Sequence, residues 1–340
     1  MRQAVMAEPG KIDYHQTAEP VPSADQVQIR IQRIGICGSD MHVYDGRHPF
    51  VTYPVIQGHE FAGTVSAVGT GVKDIRVGDK VTATPQETCG HCPPCRRGQY
   101  NVCENLRVRG FQAPGCAQDY FVTEADKIIK LPEQVQLGQG AFAEPAAVAV
   151  HSTGRLGDLS GKHVVVSGAG TIGNLIAQAC KARGAAGVLI ADISDFRLEI
   201  ARQVGVDAVC NVAAEPLPEA VERAFGAPFF DVGVEAAGAE ASLGALISGI
   251  GKGGTLLIVG VYEEIPAVDM STLCEHELNL KGSMMYSHED WEQAVEWIAS
   301  GRIQTAPLDS KHFKFDEFLA AYQYIKDQGG DVMKVMIDLD

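Results

Sequence analysis

The chain has 340 residues, 46% of them hydrophobic and 21% charged, with 37 glycines, a balance that excludes fibre, coiled coil and disorder. That length suits two domains, each with its own core. Lysine and arginine total 28 against 43 acids, a net charge of −15, so no basic face is offered to a nucleic acid.

Val27 to Ile36 reads Val-Gln-Ile-Arg-Ile-Gln-Arg-Ile-Gly-Ile, an alternation that predicts a half-buried strand. Further strands are expected at 63–68, 79–83, 118–122 and 126–131, with glycine, proline and acid clusters between them. Short strands with frequent turns imply a small, mostly antiparallel barrel over about the first 130 residues. The character changes near Gly140. An alanine-rich helix is expected over 141–155, followed by strands at 163–167, 188–192, 230–235, 255–260 and 278–282. Helices over 171–183 and 197–204 fall between them, and such alternation predicts a parallel sheet covered on both faces. The tail reads as amphipathic helices over 288–300 and 315–327 and a strand over 332–337. It is expected to pack on the first domain. The expected division is 1–150, completed by 285–340, and 151–284.

Four of the nine cysteines fall within fifteen residues, as Cys89, Cys92, Cys95 and Cys103. Such spacing closes a tetrahedral zinc site with no open position. An iron–sulfur run of bacterial type has only three residues before its fourth cysteine and then a proline; here seven intervene. His91 lies inside the loop and is read as a bystander. Cys116, Cys180, Cys210 and Cys274 are scattered and read as buried thiols. Bunched cysteines without a secretion signal more often hold metal than form disulfides, and the expected home is the cytoplasm. No stretch approaches the roughly 18 apolar residues of a membrane span.

Gly168-Ala169-Gly170-Thr171-Ile172-Gly173 ends one apolar strand and begins a helix, and Asp192 ends the next strand 24 positions after Gly168. A glycine-rich turn alone is weak evidence, but this context predicts a dinucleotide site. Gly168 permits the turn, Gly170 lets the backbone approach the pyrophosphate, and Gly173 lets helix pack on strand. The helix N-terminus offers free amides to phosphate. Asp192 would accept bonds from the adenosine ribose hydroxyls and repel a phosphate there, which predicts NAD over NADP. Arg197 stands nearby, as a solvated helix residue or a contact to the adenine face.

Cys37 follows directly on the first alternating strand, and Gly58-His59-Glu60 comes about twenty residues later. Singly, Cys37 reads as a buried thiol and His59 as a packed imidazole. Together, Gly58-His59-Glu60 with Gly63, Gly69 and Val72, the Gly35-Ile36-Cys37-Gly38-Ser39-Asp40 segment, the cysteine lobe and the dinucleotide loop resemble the zinc-dependent medium-chain alcohol dehydrogenases, over essentially the whole chain.

That resemblance implies an α/β chain with a GroES-like barrel domain and a Rossmann domain, the active site in the cleft between them, and two zinc ions. It implies Cys37 and His59 as catalytic zinc ligands, Glu60 as a ligand or an exchanging neighbour, and Glu144 on or near the metal. Many alcohol dehydrogenases carry cysteine at that last place, so Glu144 separates this chain from the ethanol-oxidising branch, and an oxygen-rich shell should leave the metal more Lewis acidic. Ser39 resembles the family's acceptor of the substrate proton, His42 its relay to solvent, and Asp40 the carboxylate that orients His59. The branch in view is that of sorbitol, threonine and butanediol dehydrogenases. Threonine dehydrogenases usually have aspartate before the proline, so Glu144-Pro145 leans toward polyols, sugar alcohols or vicinal diols, with an amino alcohol, sugar acid or sugar phosphate as the alternative. Tyr44, His48, Phe111 and Tyr286 are pocket candidates by position or ordinary packing, and Arg47 and Arg109 are the cations near enough to read an acidic substrate. Two other classes are a zinc-less reductase, opposed by the full ligand set, and a non-catalytic redox sensor, opposed by intact Ser39, His42 and Glu60. A homodimer or homotetramer is implied, with no membrane or nucleic-acid partner.

Overall fold

The structure is a computed structural model and describes residues 1–339. Met1–Glu144, Ser287–Ala299 and the residues from Asp309 on form one unit, and Pro145–Tyr286 with Ser300–Leu308 form another.

β1 (Arg2–Glu8) and β2 (Lys11–Gln16) open the first unit as an antiparallel pair. The alternating segment becomes β3 (Gln26–Ile36), with Val27, Ile29 and Ile31 buried and Arg30 exposed. A register shift between Ile31 and Arg33 resets the faces, so Ile34, Gly35 and Ile36 are all buried at the strand's end. α1 (Gly38–Tyr44), β4 (Glu60–Val68) and β5 (Lys80–Ala83) follow. β6 (Gln86–Glu87) and β7 (Arg107–Val108) form a short ladder that pinches off the cysteine loop, inside which α2 (Pro93–Arg96) makes one turn. β8 (Tyr120–Glu124), β9 (Ile128–Lys130) and α3 (Leu137–Ala141) complete this stretch. β8 and β9 each start two residues later than expected. Asp119 is held instead by the Arg2 guanidinium at 2.8 Å, and a tight turn occupies Ala125–Lys127.

α4 (Ala143–Gly154) begins with Ala143 and Glu144 of the first unit and continues into the second, which then alternates β10 (His163–Ser167), α5 (Thr171–Ala182), β11 (Gly187–Asp192), α6 (Asp195–Gln203), β12 (Ala208–Asn211), α7 (Leu217–Phe225), β13 (Phe230–Glu235), α8 (Glu240–Gly249), β14 (Ile250–Ile258), α9 (Met270–Glu275) and β15 (Asn279–Gly282). Its six strands are all parallel, in the order β12-β11-β10-β13-β14-β15. That is the order of a dinucleotide-binding sheet, with its reversal point beside β10. Val164, Val165 and Val166 are fully buried, as strands covered on both faces require.

The tail returns as α10 (His288–Ala299), β16 (Asp309–Lys314), α11 (Phe318–Asp327) and β17 (Lys334–Asp338). β8 lines residues 26–30 of one edge of β3, and β17 takes over that edge at residues 33–36. The resulting sheet runs β16-β17-β3-β4-β5-β9 with β8 on β3, antiparallel except at β16–β17. Its core joins Ile29, Ile31 and Ile34 to Phe61, Phe315, Tyr322 and Val335. Ser300–Leu308 stays with the second unit, where Gln178 Nε2 donates to the Gln304 carbonyl at 3.2 Å and Oε1 accepts its N–H at 2.7 Å. Among the described residues no helix is long and apolar enough to cross a membrane.

Candidate active site

Three strand ends converge in the first unit. The register Ile34↔Phe61, Gly35↔Glu60 sets the end of β3 beside the start of β4, and Val335↔Ile36 brings the start of β17 to the same place. Cys37, His59 with Glu60, and Lys334 therefore meet, although almost three hundred positions separate the first from the last. One ligand atom from each of Cys37, His59 and Glu60 lies within 4.8 Å of the others, with His59 and Glu60 buried.

The neighbouring groups decide what that trio can hold. Asp40, buried on α1, accepts the Cys37 N–H on Oδ2 at 2.9 Å, and its Oδ1 lies 3.7 Å from His59 Nδ1. Nδ1 faces that carboxylate from just beyond hydrogen-bond reach, the side from which a carboxylate orients a ligating histidine, with Nε2 then the nitrogen turned to the metal. Burial alone would push the His59 imidazolium down, but Asp40 and the Cys37 thiol together hold it well above the usual histidine range. A thiol and three carboxylates, Asp40, Glu60 and Glu144, act around one buried imidazole, an arrangement whose charge suits a cation. Glu60 gives both its oxygens to Lys334, at 2.7 and 2.6 Å, and the ammonium also reaches the Ile36 carbonyl at 3.2 Å. The pair lies against the backbone of Gly35, where a Cβ would collide with Glu60 Oε2. Nothing in the sequence marked Lys334: a lysine in a terminal strand reads as solvated. Glu144 is buried in the first turn of α4; it stands outside the 4.8 Å trio, yet its charge bears on both His59 and Lys334.

Ser39 and His42 stand three residues apart on α1, hence on one face, and both are half-buried. Phe111 packs on His59 at 4.9 Å between ring centres and stacks on His48 at 4.8 Å. His48 Nδ1 accepts the Phe50 N–H at 3.3 Å, and burial, then His42 and His59, lower its pKa, so His48 is a neutral ring with its proton on Nε2. Tyr44 stacks flat on Tyr322, and Tyr286 is fully buried in the second unit. Arg109 is engaged throughout: Glu87 at 3.1 Å, Glu124 at 2.8 Å, the Val122 carbonyl at 2.9 Å and the face of Phe121. Arg47 pairs with Asp45 at 3.0 Å.

The cysteine lobe passes a metric test for zinc. A tetrahedral ion with Zn–S near 2.3 Å requires sulfurs about 3.8 Å apart. Cys92 and Cys103 sulfurs lie 3.8 Å apart, Cys103 and Cys89 3.6 Å, and all four lie within 4.8 Å of one another. The His91 N–H, chief among several donors, lowers the Cys89 thiol to about 6. The His91 ring faces the Cys89 carbonyl at 2.7 Å and is itself exposed. Cys116, Cys180 and Cys210 are buried thiols; Cys274, expected to be buried, is exposed, because α9 is short and buries only Leu273.

In the second unit the glycine loop joins β10 to α5 with Gly170 as N-cap and Thr171 and Ile172 half-buried in the first turn. Gly168 has φ +103°, and a Cβ on Gly173 would collide with the Gly168 carbonyl. Open space faces Gly170. Asp192 Oδ2 accepts the Ala169 N–H at 2.6 Å and Oδ1 the Ser194 N–H at 2.9 Å, with Arg197 3.9 Å away. Asp192 thus also holds the loop it was expected to serve. Asn174, which no sequence signal singled out, is fully buried and donates to the Ala169 carbonyl at 2.6 Å.

Residues 23–133 match the family model of the alcohol dehydrogenase GroES-like domain, and residues 171–300 that of the zinc-binding dehydrogenases. The chain is 36% identical over 290 residues to 2-dehydro-3-deoxy-L-galactonate 5-dehydrogenase of Pseudoalteromonas atlantica, covering 85% of this chain and 84% of that one. It is 33% identical over 330 residues to L-threonine 3-dehydrogenase of Proteus mirabilis, 95% of either chain. The solved alcohol dehydrogenase RspB of Escherichia coli CFT073, complexed with NADH, superposes with a TM-score of 0.92 at 30% identity, over 100% of this chain and 99% of that one.

Proposed function

The chain belongs to the zinc-dependent alcohol dehydrogenase family, and from that premise we propose that it oxidises a secondary alcohol of a polyol, sugar alcohol or vicinal diol to the ketone, reversibly, with NAD. The observation that carries the reading is the convergence of Cys37, His59 and Glu60 in a pocket whose charges favour a cation.

Cys37 and His59 would hold a catalytic zinc, with Glu60 and Glu144 beside it, and Cys89, Cys92, Cys95 and Cys103 a structural one. When bound, the ion acidifies an alcohol hydroxyl and the nicotinamide accepts the carbon-bound hydrogen with its electron pair. Ser39 takes the hydroxyl proton and passes it to His42, whose imidazole hands a proton on to solvent. Asp40 keeps His59 in the tautomer that ligates through Nε2. The amides of Gly170, Thr171 and Ile172 receive the pyrophosphate, Gly168 and Gly173 shape that cradle, and Asp192 takes the ribose hydroxyls, with Arg197 at the adenine.

Asp192→Ala is expected to raise KM for NAD about 10-fold or more, since hydrogen bonds to a charged group are worth about 1.5–3 kcal/mol, and to narrow the preference over NADP. Initial rates with both cofactors check this; an unchanged preference would mean that Asp192 serves only the Ala169 and Ser194 amides.

Arg109 is committed to two glutamates, which favours an uncharged substrate over a phosphorylated one. A second reading, a sugar acid, is favoured by the galactonate-type relative. Turnover on a panel of polyols, diols, sugar acids, sugar phosphates and amino alcohols separates these. Oxidation of uncharged polyols or diols, with weaker activity on the acids and phosphates, is the expected result; no activity on any alcohol would revive the redox-sensor reading. We also assign the protein to the cytoplasm, as a homodimer or homotetramer, which light scattering tests.

A further inference from the structure

The carboxylate of Asp40 is itself held. Gln57, 3% exposed, donates from Nε2 to Asp40 Oδ1 and to the Asp40 carbonyl, both at 3.3 Å. Its other end, Oε1, accepts the hydroxyl of Tyr322 at 3.0 Å. Tyr322 is 1% exposed on α11 and fixed by Tyr44, whose ring lies 5.0 Å away and parallel within 3°.

The direction of each bond follows from chemistry. A backbone carbonyl only accepts, so with the Asp40 carbonyl at 3.3 Å Gln57 must turn its NH₂ toward Asp40. That leaves a buried carbonyl oxygen needing a donor, and the phenol supplies it. Without the phenol, the Gln57 oxygen is left buried with no donor, and the carboxamide loses the anchor that holds its NH₂ against Asp40. Asp40 in turn touches both sides of the trio: Oδ2 takes the Cys37 amide and Oδ1 faces His59 Nδ1.

We propose that Gln57 and Tyr322 are positioning residues for the metal site, a relay from α11 through Asp40 that sets the angle at which His59 meets the ion. The inference rests on the reading that Cys37 and His59 hold zinc. It assigns a function to a glutamine in the turn before β4 and to a tyrosine from the far end of the chain, neither of which need touch substrate or metal.

Tyr322→Phe tests it with little disturbance, because the ring still stacks on Tyr44; Gln57→Leu is the stronger variant. The full zinc-loaded enzyme is titrated with a chelator that resolves the two zincs, and the catalytic ion is replaced by cobalt for its visible spectrum. Losing an outer partner of a metal ligand typically weakens binding about 10–100-fold. Gln57→Leu is therefore expected to weaken the His59 site about 10-fold, and Tyr322→Phe several-fold, both shifting the cobalt bands while the cysteine-lobe zinc is unchanged. Unchanged affinity and bands in both variants, with only the melting temperature lowered, would overturn the proposal and leave the pair as packing. A wild-type enzyme holding zinc in the cysteine lobe alone would instead overturn the metal-site reading, and the relay with it.

Discussion

A His59→Ala variant is expected to carry one zinc per chain where the parent carries two, and to lose about 10³-fold in turnover. Electrophilic assistance by a metal is worth several kcal/mol, and each ~1.4 kcal/mol is a decade in rate. The removed ring is 5% exposed and is the one member of the trio facing both Asp40 and Cys37, so neither neighbour can replace it. Glu60 is engaged by Lys334 through both oxygens. The cysteine lobe is an internal control, because its four sulfurs come from one loop closed by the β6–β7 ladder. Metal analysis and steady-state rates on the same preparation decide the matter. A variant that keeps both zincs and most of its turnover would place the catalytic ion elsewhere; one that loses both would point to collapse of the fold.

The parts of this site legible in the sequence share one property: their partners are close in the chain or their spacing is itself the signal. Four cysteines within one loop, a glycine turn between strand and helix, and an acid at the next strand's end need no tertiary information. The alternation of β3 was readable because one face is buried, and the valine runs of the parallel sheet because both are. β1 and β2 escaped because three consecutive residues are buried in one and none in the other. The start of β14 was missed because Gly251, Gly253 and Gly254 read as a turn, yet the strand runs through them from Ile250. β12 and β16 were missed too; each is short or carries few buried residues. Lys334, Gln57 and Tyr322 were illegible for another reason. Their meaning depends on the register that lays β17 against β3 and on the packing of α11 above it, and a single polar residue in a buried place carries no period.

Lys334→Met is expected to destabilise the first unit by about 3–5 kcal/mol, the usual cost of removing one partner from a buried ion pair. The side chains of Lys334 and Glu60 are 4% and 1% exposed, so the orphaned carboxylate cannot turn to water, and Gly35 gives it only backbone to lie against. A shift of this size lowers the melting temperature by on the order of 10 °C. The cost belongs to the stranded charge and not to lost packing, since methionine fills much of the lysine stem's space. Adding Glu60→Gln should therefore recover most of the stability, as a neutral carboxamide is far cheaper to bury than an unpaired carboxylate. The metal sharpens the test. In the single variant a bound zinc offers Glu60 another cation, so the deficit should be larger in chelated than in zinc-loaded protein, and the difference should vanish when Glu60→Gln is present. Equal deficits in all four preparations would show that Lys334 acts through packing alone. An unaltered melting temperature in the single variant would mean that Glu60 reaches water or another cation, and that the buried pair does not govern how the carboxylate sits beside Cys37 and His59.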